Sequence, residues 1–70
     1  MQTFEIVLSH AWSERLSAAF PEFVCRSLDA RHTALTGELH DQSELQSVIS
    51  RIGTLGLEIE HVRRIDDRRN

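Results

Sequence analysis

Hydrophobic and polar positions divide the chain into six segments. The clearest is Asp41 to Gly56, DQSELQSVISRIGTLG. Leu45, Val48, Ile49, Ile52 and Leu55 recur there at helical spacing and form one apolar stripe. Asp41 can cap the first turn with its carboxylate, and Glu44 stands three residues on, as in a capping box. Gly56 can take the left-handed conformation that ends a helix. Gly53 lies inside the helix, where glycine costs about 1 kcal/mol relative to Ala. Close packing on a sheet or on the other helix is the expected reason for it.

The remaining segments alternate or are short. Thr3 to Ser9 places Phe4, Ile6 and Leu8 on one side and Glu5, Val7 and Ser9 on the other, the pattern of a half-buried strand. Trp12, Leu16, Ala19, Phe20 and Phe23 then have helical spacing. Ser9 or Ser13 can cap this first helix, and Pro21 stops it after two to three turns. Trp12 is expected to anchor it in the core. Phe23 to Leu28 and Thr33 to Leu39 read as strands around the polar connection Asp29-Ala30-Arg31-His32, which suggests a hairpin. Gly37, inside the second of these, marks a bulge or a close approach. Leu57 to Ile65 is the last strand, with Leu57, Ile59 and His61 on the core side and Glu58, Glu60, Val62 and Arg64 pointing away. Residues 66–70 form a charged tail.

The order β-α-β-β-α-β is the split arrangement of ferredoxin-like folds. Right-handed crossovers predict a four-stranded antiparallel sheet in the order 4-1-3-2, with both helices on one face. The domain is expected to span 1–65. The uncovered face then carries apolar Val7, Val24, Leu28 and Val62 beside Thr36 and several charges. These five residues are the candidate partner surface, because an exposed apolar patch can mark an interaction site. The outer edge of strand 23–28 or of strand 57–65 is the other candidate.

Composition narrows the function classes. Seventy residues make one small domain, which buries a smaller share of its surface than a large one, so a second copy would add burial the monomer cannot supply. Eight basic residues, all Arg, stand against eleven Asp and Glu, a net charge of -3, and this opposes nucleic-acid binding. The predicted uncovered face also offers no aromatic for base stacking. Cys25 is the sole cysteine, which excludes an intrachain disulfide and fits a reducing cytoplasm. The first ten residues do not have the pattern of a signal peptide, and no apolar run approaches the ~20 residues that span a bilayer. A cytoplasmic protein without a membrane partner is expected.

Beyond these patterns, the stretches FEIVLSHAWSERLSAAF, TALTGELHDQSELQSVISRIGTLGLEI and VRRI resemble a family of small bacterial proteins of about this length, mainly actinobacterial and without assigned activity. The resemblance rests on Leu35-Thr36-Gly37, Asp41-Gln42 and Leu55-Gly56-Leu57, an LTG…DQ…LGL pattern, and covers nearly the whole chain. Family members commonly carry Trp where this chain has Phe20. The resemblance implies a bacterial cytoplasmic domain and adds no chemistry, since Asp41 and Gly56 also have structural roles.

Candidate chemistry is sparse. His10 follows the first strand and His40 the third. These strands are expected to be parallel neighbours, so that His10, His40 and Asp41 converge at one sheet edge with nitrogen and oxygen ligands for a transition metal. No HxxxH or HxH spacing accompanies them. Copper-chaperone domains of this topology place Cys-x-x-Cys near the first loop, where this chain has Ser9-His10-Ala11-Trp12. Cys25 alternates inward and is expected to be inert. There is no catalytic constellation and no glycine-rich phosphate loop. The reading is a non-enzymatic interaction module without cofactor, whose partner is itself or another protein. The alternative is an amino-acid sensor resembling ACT domains, which bind ligand near the loop after strand 1, here Ser9, His10 and Ala11.

Overall fold

The computed structural model describes residues 2–65. The predicted tail, 66–70, lies outside them. Six elements follow in the expected order: β1 (Gln2–Leu8), α1 (Glu14–Ala19), β2 (Val24–Asp29), β3 (His32–Leu39), α2 (Gln42–Thr54) and β4 (Ile59–Ile65). They make a small α+β fold with one four-stranded sheet in the order β2-β3-β1-β4. Each neighbouring pair is antiparallel. This strand order is compatible with a ferredoxin-like arrangement.

The helix boundaries follow the capping chemistry. Asp41 takes an extended conformation and its carboxylate accepts from the Glu44 N–H at 3.0 Å, while Glu44 Oε1 accepts from the His40 N–H at 2.7 Å. Asp41 thereby satisfies a donor that the first turn leaves free, and Glu44 holds the backbone just before the cap. At the other end the Gly56 N–H bonds to Gly53 O and the Leu57 N–H to Ile52 O. This pair of bonds is a Schellman stop, and Gly56 has the positive φ it needs, 76°. In α1, Ser13 is the cap, its Oγ accepting from the Leu16 N–H at 3.0 Å. The helix therefore begins after Trp12. The expectation of Trp12 as a core anchor is corrected here, since it precedes the helix and is 41% exposed.

Ile6, Leu8, Leu35 and Leu39 of the sheet share one core with Leu16 and Phe20 of the α1 segment and Val48 and Ile52 of α2. Phe20 and Phe23 meet edge to face, with ring centroids 6.4 Å apart. Arg51 lies over Phe20, 5.1 Å from its centroid, donates to Ala19 O, and pairs with Glu22. This side chain ties the end of α1 to α2. Only part of the α2 stripe is covered, for Ile49 and Leu55 are exposed. A Cβ built on Gly53 meets nothing within 4 Å, so close packing does not explain that glycine. Gly37 is a close approach and not a bulge: its Cβ would stand 2.5 Å from Phe23 Cδ1.

The last strand departs from the simple alternation. Leu8 is opposite Ile59, but Val7 is opposite His61, so Glu60 is an extra residue in a bulge. The bulge reverses the alternation after it. Val62, opposite Ile6, turns to the core and packs against it, while His61, opposite Val7, turns to the other face. The expected placements of Val62, His61 and Arg64, the last of which stands opposite Phe4, are all corrected by this single inserted residue.

Candidate functional site

The five candidate contact residues do not form one surface. Val62 belongs to the core side. Val7 lies on the opposite face as expected but is only 6% exposed. It sits on an interior strand, with Ala34 and His61 directly across from it on both sides. On the same face the Arg63 Nε–H donates to Glu5 Oε1 at 2.8 Å, from the directly opposite position on β4. Thr36 is half-buried between Glu5 and Val24. Val24 and Leu28 remain exposed, Val24 by 69%, and both lie on β2. β2 is an edge strand that pairs only with β3. The exposed apolar surface on the sheet is thus an edge and not a face.

The two edges differ. β4 is bulged and carries Glu60, Arg63 and Arg64 along its length. Charge discourages pairing with another strand, whereas an extra residue is common to both edges, Glu60 in β4 and Leu28 in β2. β2 shifts register only beyond Ser27, so Val24 to Ser27 is a regular ladder with one charge, Arg26. The inward-facing side of this strand is Cys25, opposite Leu35 and packed against the core. Partial burial raises the Cys25 thiol above its ordinary value, which keeps it protonated and unreactive.

The structure separates His10 from His40. β1 and β3 are antiparallel, with Leu8 opposite Thr33 and Gln2 opposite Leu39. His10 therefore stands beside the start of β3, where Thr33 Oγ1 donates to its carbonyl at 2.8 Å. His40 follows the end of β3, roughly 23 Å away at the ~3.3 Å rise per strand residue. The expected meeting of His10, His40 and Asp41 assumed parallel strands and is corrected. His40 instead pairs with Glu44 at 3.3 Å, and Asp41 is occupied as the α2 cap. Among the described residues no group of three or more His, Cys, Asp or Glu side chains is placed to hold a metal ion.

A polar cluster that sequence reasoning missed lies at the His10 end. His32 Nδ1 is 2.9 and 3.1 Å from the two carboxylate oxygens of Asp29, and its Nε2 is 3.6 Å from Glu60 Oε2. Ser9 Oγ donates to the same Glu60 oxygen at 2.8 Å. The hydrogen bond to Asp29 is the first cause that raises the His32 pKa above its ordinary value. Asp29 is lowered by the Arg31 backbone N–H and by His32, and Glu60 by Ser9 and His32. Ser9, His10, Ala11, Ala30, Arg31 and His32 line an open groove beside this cluster. Only the strand bulge brings Glu60 here, and no spacing in the sequence announces it. The Ser9 hydroxyl proton goes to Glu60 and not to His32.

Among the described residues no helix is long and apolar enough to cross a membrane. No curated protein and no solved structure matches the chain. One family model does, over residues 3–63, from the start of β1 to near the end of β4. The chain accordingly belongs to the family described as a domain of unknown function, DUF8691.

Proposed function

We propose that this chain is a small interaction module, without enzymatic activity, that pairs with a second copy of itself through the outer edge of β2. We read the fold as ferredoxin-like, with both helices on one face, which leaves β2 and β4 as the free edges. The observation that carries the proposal is the exposure of Val24 and Leu28 on the edge strand with less charge. An uncovered edge offers unpaired N–H and C=O groups to another strand. A 70-residue chain also gains from burial that a partner supplies. The acidic balance and the absence of aromatics among the exposed β2 side chains favour a protein partner over nucleic acid or membrane. A bacterial cytoplasm is the setting this reading assumes.

Sedimentation velocity over a range of concentrations tests it. The wild-type chain is expected to show a concentration-dependent dimer, and Val24→Lys to remain monomeric with an unchanged far-UV CD spectrum. A wild-type chain that stays monomeric throughout sinks the proposal. An ACT-like sensor of amino acids remains the proposal of another class, centred on Ser9, His10 and Ala11. A thermal-shift screen against amino acids separates the two, since a homodimeric module gains no stability from any of them.

A further inference from the structure

The Asp29, His32, Glu60 and Ser9 cluster lies at the turn end of β2, beyond the regular ladder of Val24 to Ser27, and joins three separate pieces of the chain. Asp29 and His32 flank the β2–β3 turn and are opposite each other in the ladder. Ser9 follows β1, and Glu60 is the extra residue of the β4 bulge. β3 and β4 are not neighbours, because β1 lies between them. The His32–Glu60 contact therefore reaches across the end of β1. Beside it the Ser9 N–H bonds to Glu58 O at 2.9 Å. We propose that these four side chains form a proton-operated clasp, which fastens the β2–β3 hairpin to β4 and sets the shape of the groove lined by Ser9, His10, Ala11 and His32.

The chemistry follows from donor counting. Ionised carboxylates only accept hydrogen bonds, and an imidazolium has two N–H donors. Protonated His32 can donate to Asp29 with Nδ1 and turn a second N–H, on Nε2, toward Glu60 as an ion pair at 3.6 Å. Neutral imidazole keeps a single N–H, and the shorter contact places it on Nδ1, toward Asp29. The Nε2 lone pair then faces the Glu60 oxygen, and that arm of the clasp becomes repulsive. Glu60 retains only Ser9. Other charges face the cluster from its surroundings. Arg31 adjoins His32 in the turn, His10 lines the same groove, and His61 acts on Glu60 from the next position of β4.

The donor count sets the direction with pH, and the shifts agree with it. His32 is raised above its ordinary 6.5, so its contribution is complete below that value and is lost as pH rises through the folded value. Asp29 and Glu60 are lowered, so theirs is present above their ordinary 3.8 and 4.5 and is lost only in stronger acid. The clasp is closed between the carboxylate and imidazole ranges, and it opens on the alkaline side.

Proton NMR of the intact chain tests this. The His32 imidazole is expected to titrate above its ordinary value in the wild type and at a lower midpoint in Glu60→Gln and in Asp29→Asn. Both variants keep the side-chain shape, and the amide oxygen introduced by Glu60→Gln would still accept from Ser9. Exchange of the Ser9 amide is expected to accelerate as His32 deprotonates, and to lose that dependence in His32→Asn after correction for intrinsic exchange. A His32 midpoint equal in the wild type and both carboxylate variants overturns the clasp. So does Ser9 exchange that, so corrected, is indifferent to pH from about 5 to about 8, the span over which histidine changes charge. The measurement can be repeated on Val24→Lys, so failure of pairing and failure of the clasp are separate results.

Discussion

A Cβ built on Gly37 would meet the Phe23 ring at 2.5 and 2.8 Å and the Glu22 carbonyl at 3.2 Å. The ring belongs to the core and the carbonyl to the backbone, so neither yields cheaply. Gly37→Ala is expected to cost about 1–3 kcal/mol, as overpacking does, measured by urea unfolding. Gly53 is the opposite case. It has open space around it and sits inside α2, so Gly53→Ala should stabilise by about 1 kcal/mol. A third residue, Glu22, is held below its ordinary 4.5 chiefly by the Arg51 side chain. A carboxylate lowered on folding contributes above its unfolded pKa and loses that contribution as pH falls through the folded one. Both partners are more than a third exposed, which keeps the effect small. Arg51→Met is expected to flatten the acid limb of a stability profile relative to the wild type.

At the scale of elements, caps and bulges decide where each segment begins and which way it faces. Asp41→Ala removes the α2 cap and should cost about 1 kcal/mol, read as a lower midpoint in thermal or urea unfolding. The β4 bulge leads to a less ordinary expectation. A one-residue deletion within a strand normally turns every later side chain to the wrong face. Deleting Glu60 should not, because it is the surplus residue. Ile59 would still stand opposite Leu8, His61 opposite Val7, and Val62 opposite Ile6. The deletion variant is expected to fold, with a native-like amide spectrum, and to show a lowered His32 midpoint because its second carboxylate is gone. A deletion variant that fails to fold would mean that the bulge is itself required.

For the molecule as a whole, the element order, the strand order and the α2 boundaries were legible in the sequence. Alternation, proline, and the Asp41, Glu44 and Gly56 signals are local, and they speak directly about backbone conformation. What was not legible depends on relations between distant residues. Nothing near Glu60 distinguishes an extra residue from a regular one, so alternation alone puts Val62 and His61 on the wrong sides. Burial of Val7 comes from being on an interior strand, which alternation alone does not weigh. The meeting of His10 and His40 failed on strand direction, and Trp12 failed because Ser13 and not Ser9 is the cap. The clasp was invisible because its members are separated by up to 51 positions and are joined only through the bulge.

The seat that Phe23 occupies above Gly37 makes two positions, fourteen apart in the sequence, into a single heritable choice. A ring at one requires a hydrogen atom at the other. A lineage that gains a methyl group at position 37 must shrink position 23 or accept a loosened barrier between core and water. Homologues should therefore vary at these positions together, and a substitution at one should be rescued by a matching change at the other.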